Sequence, residues 1–257
     1  MSSEHDQPGQ PEMPAEQPQS GRRDWRQGIA WGPREVVQGL ALAVTAVIFI
    51  PVAALVVAAG LGIDVTDTKH ATQVSLVASL PFEAVLFAIV IALTMGKYRS
   101  RWRDLGFRPL ALSRAWVPVA LVVGAFVAVQ VYGVIADAIG GSDFLPKSTL
   151  GEDALDQTAF VVLAVILAVG MAPVVEETFF RGFVFGGLSK RFSLLGSALI
   201  SGFLFALAHG QPTTLIPFTA VGMLFAVGYA YTGSLWTSIS AHFTFNLISL
   251  TVTLATR

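Results

Sequence analysis

Seven side chains in this sequence combine useful chemistry with an apolar setting: Glu83, Glu176, Glu177, Arg181, His209, His242 and Asn246. Ionisable groups among apolar runs are costly, so each such position is a candidate functional site. The stretch Glu176-Glu177-Thr178-Phe179-Phe180-Arg181 carries two adjacent carboxylates and an arginine. On a helix Glu177 and Arg181 are four apart with the acid first, the favourable order for an ion pair. Glu176 points about 100° away and is left without that partner. One carboxylate is thereby neutralised, while the other stays free to take a proton from water. His209 follows Phe205 by four residues and Asn246 follows His242 by four, so each pair shares a helix face. An imidazole beside the free carboxylate can share its proton. A second imidazole and an amide N–H₂ can donate to an oxyanion as it forms.

Other chemistries have less support. The chain has no cysteine, which excludes a thiol nucleophile, a thiolate zinc site and a disulfide framework. Ser240 lies near His242, but residues two apart on a helix do not face each other. Plainer readings stand beside the chemical ones. Glu177 and Arg181 could form a purely structural pair, and His209 could be a packed histidine. His242 with Asn246 could be hydrogen-bond glue between helices. Glu83 could line the same cavity, meet Arg181, or sit protonated between helices.

The elements that must position these residues are membrane helices. Of 257 residues 54% are hydrophobic and 13% charged, with a mean hydropathy of +0.66. A soluble domain carries roughly a quarter charged residues, so the solvent for most of this chain is lipid. Apolar segments at 36–61, 74–95, 115–136, 158–175, 194–208, 215–231 and 235–255 predict an all-α, polytopic bundle of about seven transmembrane helices. The 194–208 and 215–231 segments are short, so one of them is expected to stop inside the protein. Pro173 is expected to bend or restart the fourth span and leave the carboxylates at a break. Residues 1–21, with four prolines and no apolar run, read as a disordered cytoplasmic tail rather than a signal peptide. Residues 22–257 then form one transmembrane domain whose motif core lies at 158–250.

Charge sets the orientation. Arginines precede the first span, six Lys and Arg residues fill 97–114, and Lys190-Arg191 follow the fourth span, whereas the alternate loops are acidic. The basic loops and the tail are therefore expected in the cytoplasm, with the C-terminus outside, in a multi-pass plasma-membrane protein. Topology accounts for the basic cluster, and with a net charge of −1 no nucleic-acid partner is expected. Trp25, Trp31 and Trp102 flank spans and read as interface anchors. Gly182 and Gly186 read as a close-packing pair. Counted from the basic ends at 1.5 Å per residue, Glu176 lies at about 21 Å, His209 at about 22 Å and Asn246 at about 18 Å. Glu83 falls at about 21 Å as well, so all four are expected in one layer.

In these residues the sequence resembles the type II CAAX prenyl protease family, also called CPBP or Abi. The likeness rests on EExxxR at Glu176, Glu177 and Arg181, FxxxH at Phe205 and His209, and HxxxN at His242 and Asn246. A looser likeness extends to Leu105-Gly106-Phe107-Arg108. The resemblance implies an intramembrane endopeptidase with a cavity open toward the cytoplasm. It also implies that Glu176 and His209 activate water, while His242 and Asn246 stabilise the oxyanion. The substrate would be a protein or peptide, a class that includes segments anchored in the bilayer. A metal-free mechanism is favoured, since HExxH is absent and a separate base is needed; the alternative is zinc held by Glu176, His209 and His242. Two other function classes share these features: an ion- or proton-coupled transporter, and a catalytically silent immunity or binding protein of the same fold. No inverted repeat supports the transporter.

Overall fold

A computed structural model describes residues 25–140 and 157–256, which places the proposed tail and most of the 137–156 loop outside the described residues. Within them the chain is helical with no strand. The helices are α1 (Pro33–Gly60), α2 (Thr68–Gly96), α3 (Val117–Gly140), α4 (Thr158–Leu188), α5 (Leu194–Ala208), α6 (Leu215–Thr232) and α7 (Leu235–Ala255). Local chemistry sets several of these boundaries. Pro33 starts α1, where the Glu35 carboxylate accepts from the Gly32 N–H. Asp67 caps α2 through the His70 N–H, and Ser193 caps α5 through the Gly196 N–H. Gly233, at φ +71°, closes α6 in the left-handed conformation.

Six of the seven helices are long and apolar enough to cross a membrane, and α5, with 15 residues, is not. The chain is a multi-pass membrane bundle. Its outward faces carry Val44, Val56, Val119, Val134, Leu199 and many more exposed aliphatic side chains, as a lipid-facing surface requires. α5 and α6 form a hairpin whose backbones nearly touch: a Cβ on Gly202 would lie 2.6 Å from the Thr219 carbonyl oxygen. α1 packs on α2, and α3 packs on α6 and α7. α4 runs through the middle and contacts α1, α2, α5, α6 and α7.

Three expectations need correction. Pro173 does not break the fourth span. The helix continues unbroken from Thr158 to Leu188 by switching to π geometry at Val165–Met171 and again at Thr178–Phe185. The wider turn accommodates a residue without an N–H, so the chain needs no interruption. Nor are Trp25 and Trp31 interface anchors. Trp31 is fully buried and donates its indole N–H to the Phe183 carbonyl at 2.9 Å, while Trp25 stacks on Phe185. Only Trp102 of the three is exposed. Gly182 allows the Leu105 carbonyl to approach, so the close packing expected there is made with the basic loop, not with a helix.

The basic loops are fastened to one end of the bundle. Lys97 and the Tyr98 hydroxyl both reach Glu35, at 2.6 and 2.7 Å. Arg114 donates to the Tyr231 and Thr232 carbonyls at the end of α6. Lys190 donates to the Ala30 carbonyl and Arg108 to that of Gln27.

Candidate active site

α4 supplies the carboxylates, and its π stretches decide which groups they meet. Ala172 donates its N–H five residues back, to Leu167. In that register the donor to the Ala168 carbonyl would be Pro173, which has no N–H. Asn246 fills the gap: its side-chain N–H₂ donates to the Ala168 carbonyl at 2.7 Å. The amide thus ties α7 to α4 with one hydrogen and keeps the second. Below it Thr178–Phe185 is buried at every position.

Glu177 and Arg181 form the expected pair, with a guanidinium nitrogen 2.8 Å from Glu177 Oε1 and both side chains fully buried. Two aromatic rings flank the guanidinium: Phe205 at 4.4 Å and Phe225 at 5.4 Å from its carbon. The same Glu177 oxygen lies 3.0 Å from His242 Nδ1. An ionised carboxylate only accepts, so Nδ1 carries the hydrogen and Nε2 is turned the other way. Nε2 stands 4.0 Å from Glu176 Oε2. Glu177 therefore does more than neutralise an arginine; it orients His242 toward the other glutamate. Sequence reasoning missed that link, because helix spacing reports contacts within α4 and says nothing of a partner 65 residues away.

His209 ends α5, and its Nδ1 lies 2.8 Å from the Phe205 carbonyl. A carbonyl cannot donate, so this nitrogen bears the hydrogen, and in the neutral imidazole Nε2 is the acceptor. Phe205 packs edge-on against both His209 and His242, and Phe218 packs against His209. The phenylalanine of FxxxH is thus the common floor of both imidazoles and of Arg181.

Two cavities meet at Glu176 and His209. The larger, about 520 Å³, is lined by Glu83, Glu176, His209, His242 and Asn246, with Ser79, Ser249 and Thr253 farther along. The other, about 360 Å³, is almost wholly apolar and lies among α1, α2, α4 and α5, with Val44, Phe82, Phe179 and Leu204 on its walls. The structure thus brings together Glu83, Glu176, His209, His242 and Asn246, and sets Glu177 and Arg181 directly behind them. Glu83 does not meet Arg181. It is buried, and its Oε2, like that of Glu176, has no hydrogen-bond partner.

A zinc ion does not fit these residues as placed. Among the described residues no three His, Asp or Glu side chains are gathered closely enough to hold a metal. The 4.0 Å between Glu176 Oε2 and His242 Nε2 also exceeds the roughly 3.3 Å separating neighbouring ligands on a tetrahedral zinc with bonds near 2 Å.

Known proteins resemble this part of the chain. Residues 158–248 match the family model described as "Type II CAAX prenyl endopeptidase Rce1-like". A Bacillus subtilis (strain 168) protein named "Putative membrane peptidase YdiL" is 35% identical over 92 residues. That stretch is 36% of this chain and 38% of the relative, so less than half of either is compared. No solved structure shows a significant match. The match begins with α4 and ends within α7, and it encloses Glu176, Glu177, Arg181, His209, His242 and Asn246. The motif-bearing part of this chain, residues 158–248, is thus similar to the Rce1-like, type II CAAX prenyl endopeptidases.

Proposed function

We propose that the protein is an intramembrane endopeptidase that hydrolyses a peptide bond with water activated by Glu176 and His209. The observation that carries this reading is the meeting of two cavities at those residues, where one Glu176 carboxylate oxygen has no hydrogen-bond partner and the His209 imidazole is held at Nδ1 by the Phe205 carbonyl. Glu176 takes a proton from water, and the hydroxide adds to the carbonyl carbon of the substrate. The oxygen that gains the charge accepts from the free N–H of Asn246 and from His242 Nε2 once that nitrogen has taken a proton, with the Glu177 carboxylate holding Nδ1. The proton held at Glu176 or His209 passes to the departing amine as the C–N bond breaks. No step uses a metal. The apolar cavity beside Glu176 suits a substrate anchored in the bilayer, its apolar part resting there while the polar peptide occupies the larger cavity.

In this reading the basic loops and the N-terminal tail face the cytoplasm and the protein is a multi-pass plasma-membrane enzyme. The test compares membrane proteomes of cells carrying the wild-type chain or Glu176→Gln. A membrane-protein fragment present only with the wild type is expected, and its formation should survive EDTA and phenanthroline in isolated membranes. Identical proteomes would overturn the peptidase reading. Loss of cleavage with chelator, restored by zinc, would overturn the metal-free mechanism.

A further inference from the structure

The larger cavity holds two carboxyl groups, and water activation uses one of them. The other is Glu83 on α2, outside the residues 158–248 that match known peptidases. α2 packs on α4 and borders both cavities. Its Phe82 and Leu86 line the apolar one, whereas Glu83, Ser79 and Leu76 line the larger one, and Glu176 belongs to both. Glu83 is only 6% exposed, and its Oε2 is buried without a hydrogen-bond partner. The titratable groups around it are Glu176, Glu177 and Arg181 on α4, His209 at the end of α5 and His242 on α7. α3 lends Val129 to the wall, and the charges of α1, Arg34 and Glu35, stay in its first turn, where Lys97 meets Glu35. Among the described residues Arg181 is the fixed cation at this level, and Glu177 already neutralises it. Ionising both Glu83 and Glu176 would leave two uncompensated negative charges facing one cavity. In such a pair one carboxyl group keeps its proton. Glu176 is the more open of the two, with 20% of its side chain exposed, and it has His242 Nε2 at 4.0 Å. Glu83 is the more enclosed.

We infer that Glu83 holds a proton in the resting site and is the acid that hands it to the departing amine. The transfer rests on the peptidase reading and completes its proton path. As the C–N bond of the tetrahedral adduct breaks, the electron pair left on nitrogen takes the Glu83 proton, and Glu83 becomes a carboxylate. The proton that Glu176 took from water then crosses the cavity to Glu83. Both carboxyl groups regain their starting states, and one water has been consumed. Two carboxyl groups in unlike surroundings thus divide the work, the open one as base and the enclosed one as acid. A glutamate kept only to bridge helices would have a fixed partner, and Glu83 Oε2 has none.

Infrared spectra of the full chain in lipid vesicles read the proton directly, because a protonated carboxyl group has a C=O stretch that a carboxylate lacks and that shifts in deuterium oxide. At neutral pH the wild-type minus Glu83→Gln difference should contain that band. Glu83→Gln should melt close to the wild type, since one neutral group replaces another of the same shape. A difference spectrum without the band would overturn the proposal. Turnover is followed across pH in isolated membranes, as release of the fragment whose formation needs Glu176. Glu83→Gln should lower kcat about 10²-fold or more with KM little changed, and Glu83→Asp should recover part of the loss. The wild-type rate should fall at alkaline pH, where the acid has lost its proton, and the residual rate of Glu83→Gln should not. A Glu83→Gln protein that cleaves at the wild-type rate, or keeps the alkaline fall, would overturn the acid role. Wild-type membranes that release no fragment would overturn the peptidase reading instead, and the infrared band would still decide where the proton sits.

Discussion

Glu176 and Glu177 are chemically identical neighbours, and their surroundings assign them different work. Glu177 holds Arg181 at 2.8 Å and His242 at 3.0 Å through a single oxygen, all in full burial. Removing one member of such a buried set strands the others, at a cost of about 3–5 kcal/mol. Glu177→Ala and Arg181→Ala should therefore each lower the melting temperature in detergent markedly. Glu177→Gln keeps an acceptor but still strands the Arg181 charge, so it should lose less melting temperature than Glu177→Ala and turn over slowly, because His242 loses the carboxylate held at its Nδ1. Glu176→Gln should fold normally and be inactive, since its Oε2 has no partner to lose. A Glu176→Gln protein that unfolds, beside a Glu177→Gln protein that is stable and inactive, would reverse the assignment. Asn246 makes a subtler case, because it both anchors α7 to Ala168 and offers an N–H to the oxyanion. Asn246→Ala should lower kcat by about 10²–10³, the usual effect of losing one oxyanion donor. A raised KM with unchanged kcat would instead make it a binding residue.

At the scale of the element, the two π stretches of α4 do the positioning. They let one helix pass through the bundle with Pro173 in it, and they free the carbonyl that Asn246 then occupies. Pro173→Ala restores an N–H that can satisfy Ala168 from within α4 and so competes with Asn246. The variant should be stable but slow, with the defect in kcat rather than in melting temperature; full activity would show that the Asn246 contact does not depend on the missing N–H. The motif residues and their common layer were legible in the sequence, because hydropathy and a fixed rise per residue convert spacing into depth. The π geometry was not. Proline at position 173 signals a disturbed helix, but the choice between a break and a wider turn is made by packing from five neighbouring helices. The same limit hid Trp31, whose flanking position suggested the membrane interface until the Phe183 carbonyl claimed its N–H.

For the whole molecule, seven helices place the start of α1 and the end of α7 at opposite ends of the bundle, and the basic loops gather at the end where α1 begins. Hydropathy located seven helices, of which six are long enough to span, but it did not say which of the two short segments, 194–208 or 215–231, was the exception. Nor was the cavity legible in the sequence, since it depends on which faces of α2, α4 and α7 turn toward one another. The proposed sidedness rests on charge: Lys and Arg in short loops resist translocation, and here they cap helix ends and bind carbonyls at one level. Fusing a reporter that is active only in the cytoplasm after Arg114 should give activity, and fusing it after Arg257 should give none. The complementary reporter, active only outside, should show the opposite pattern. Equal signals at both sites would mean that α5 and α6 do not behave as a hairpin inserted from the basic face. Inverted signals would place the basic loops outside the cell.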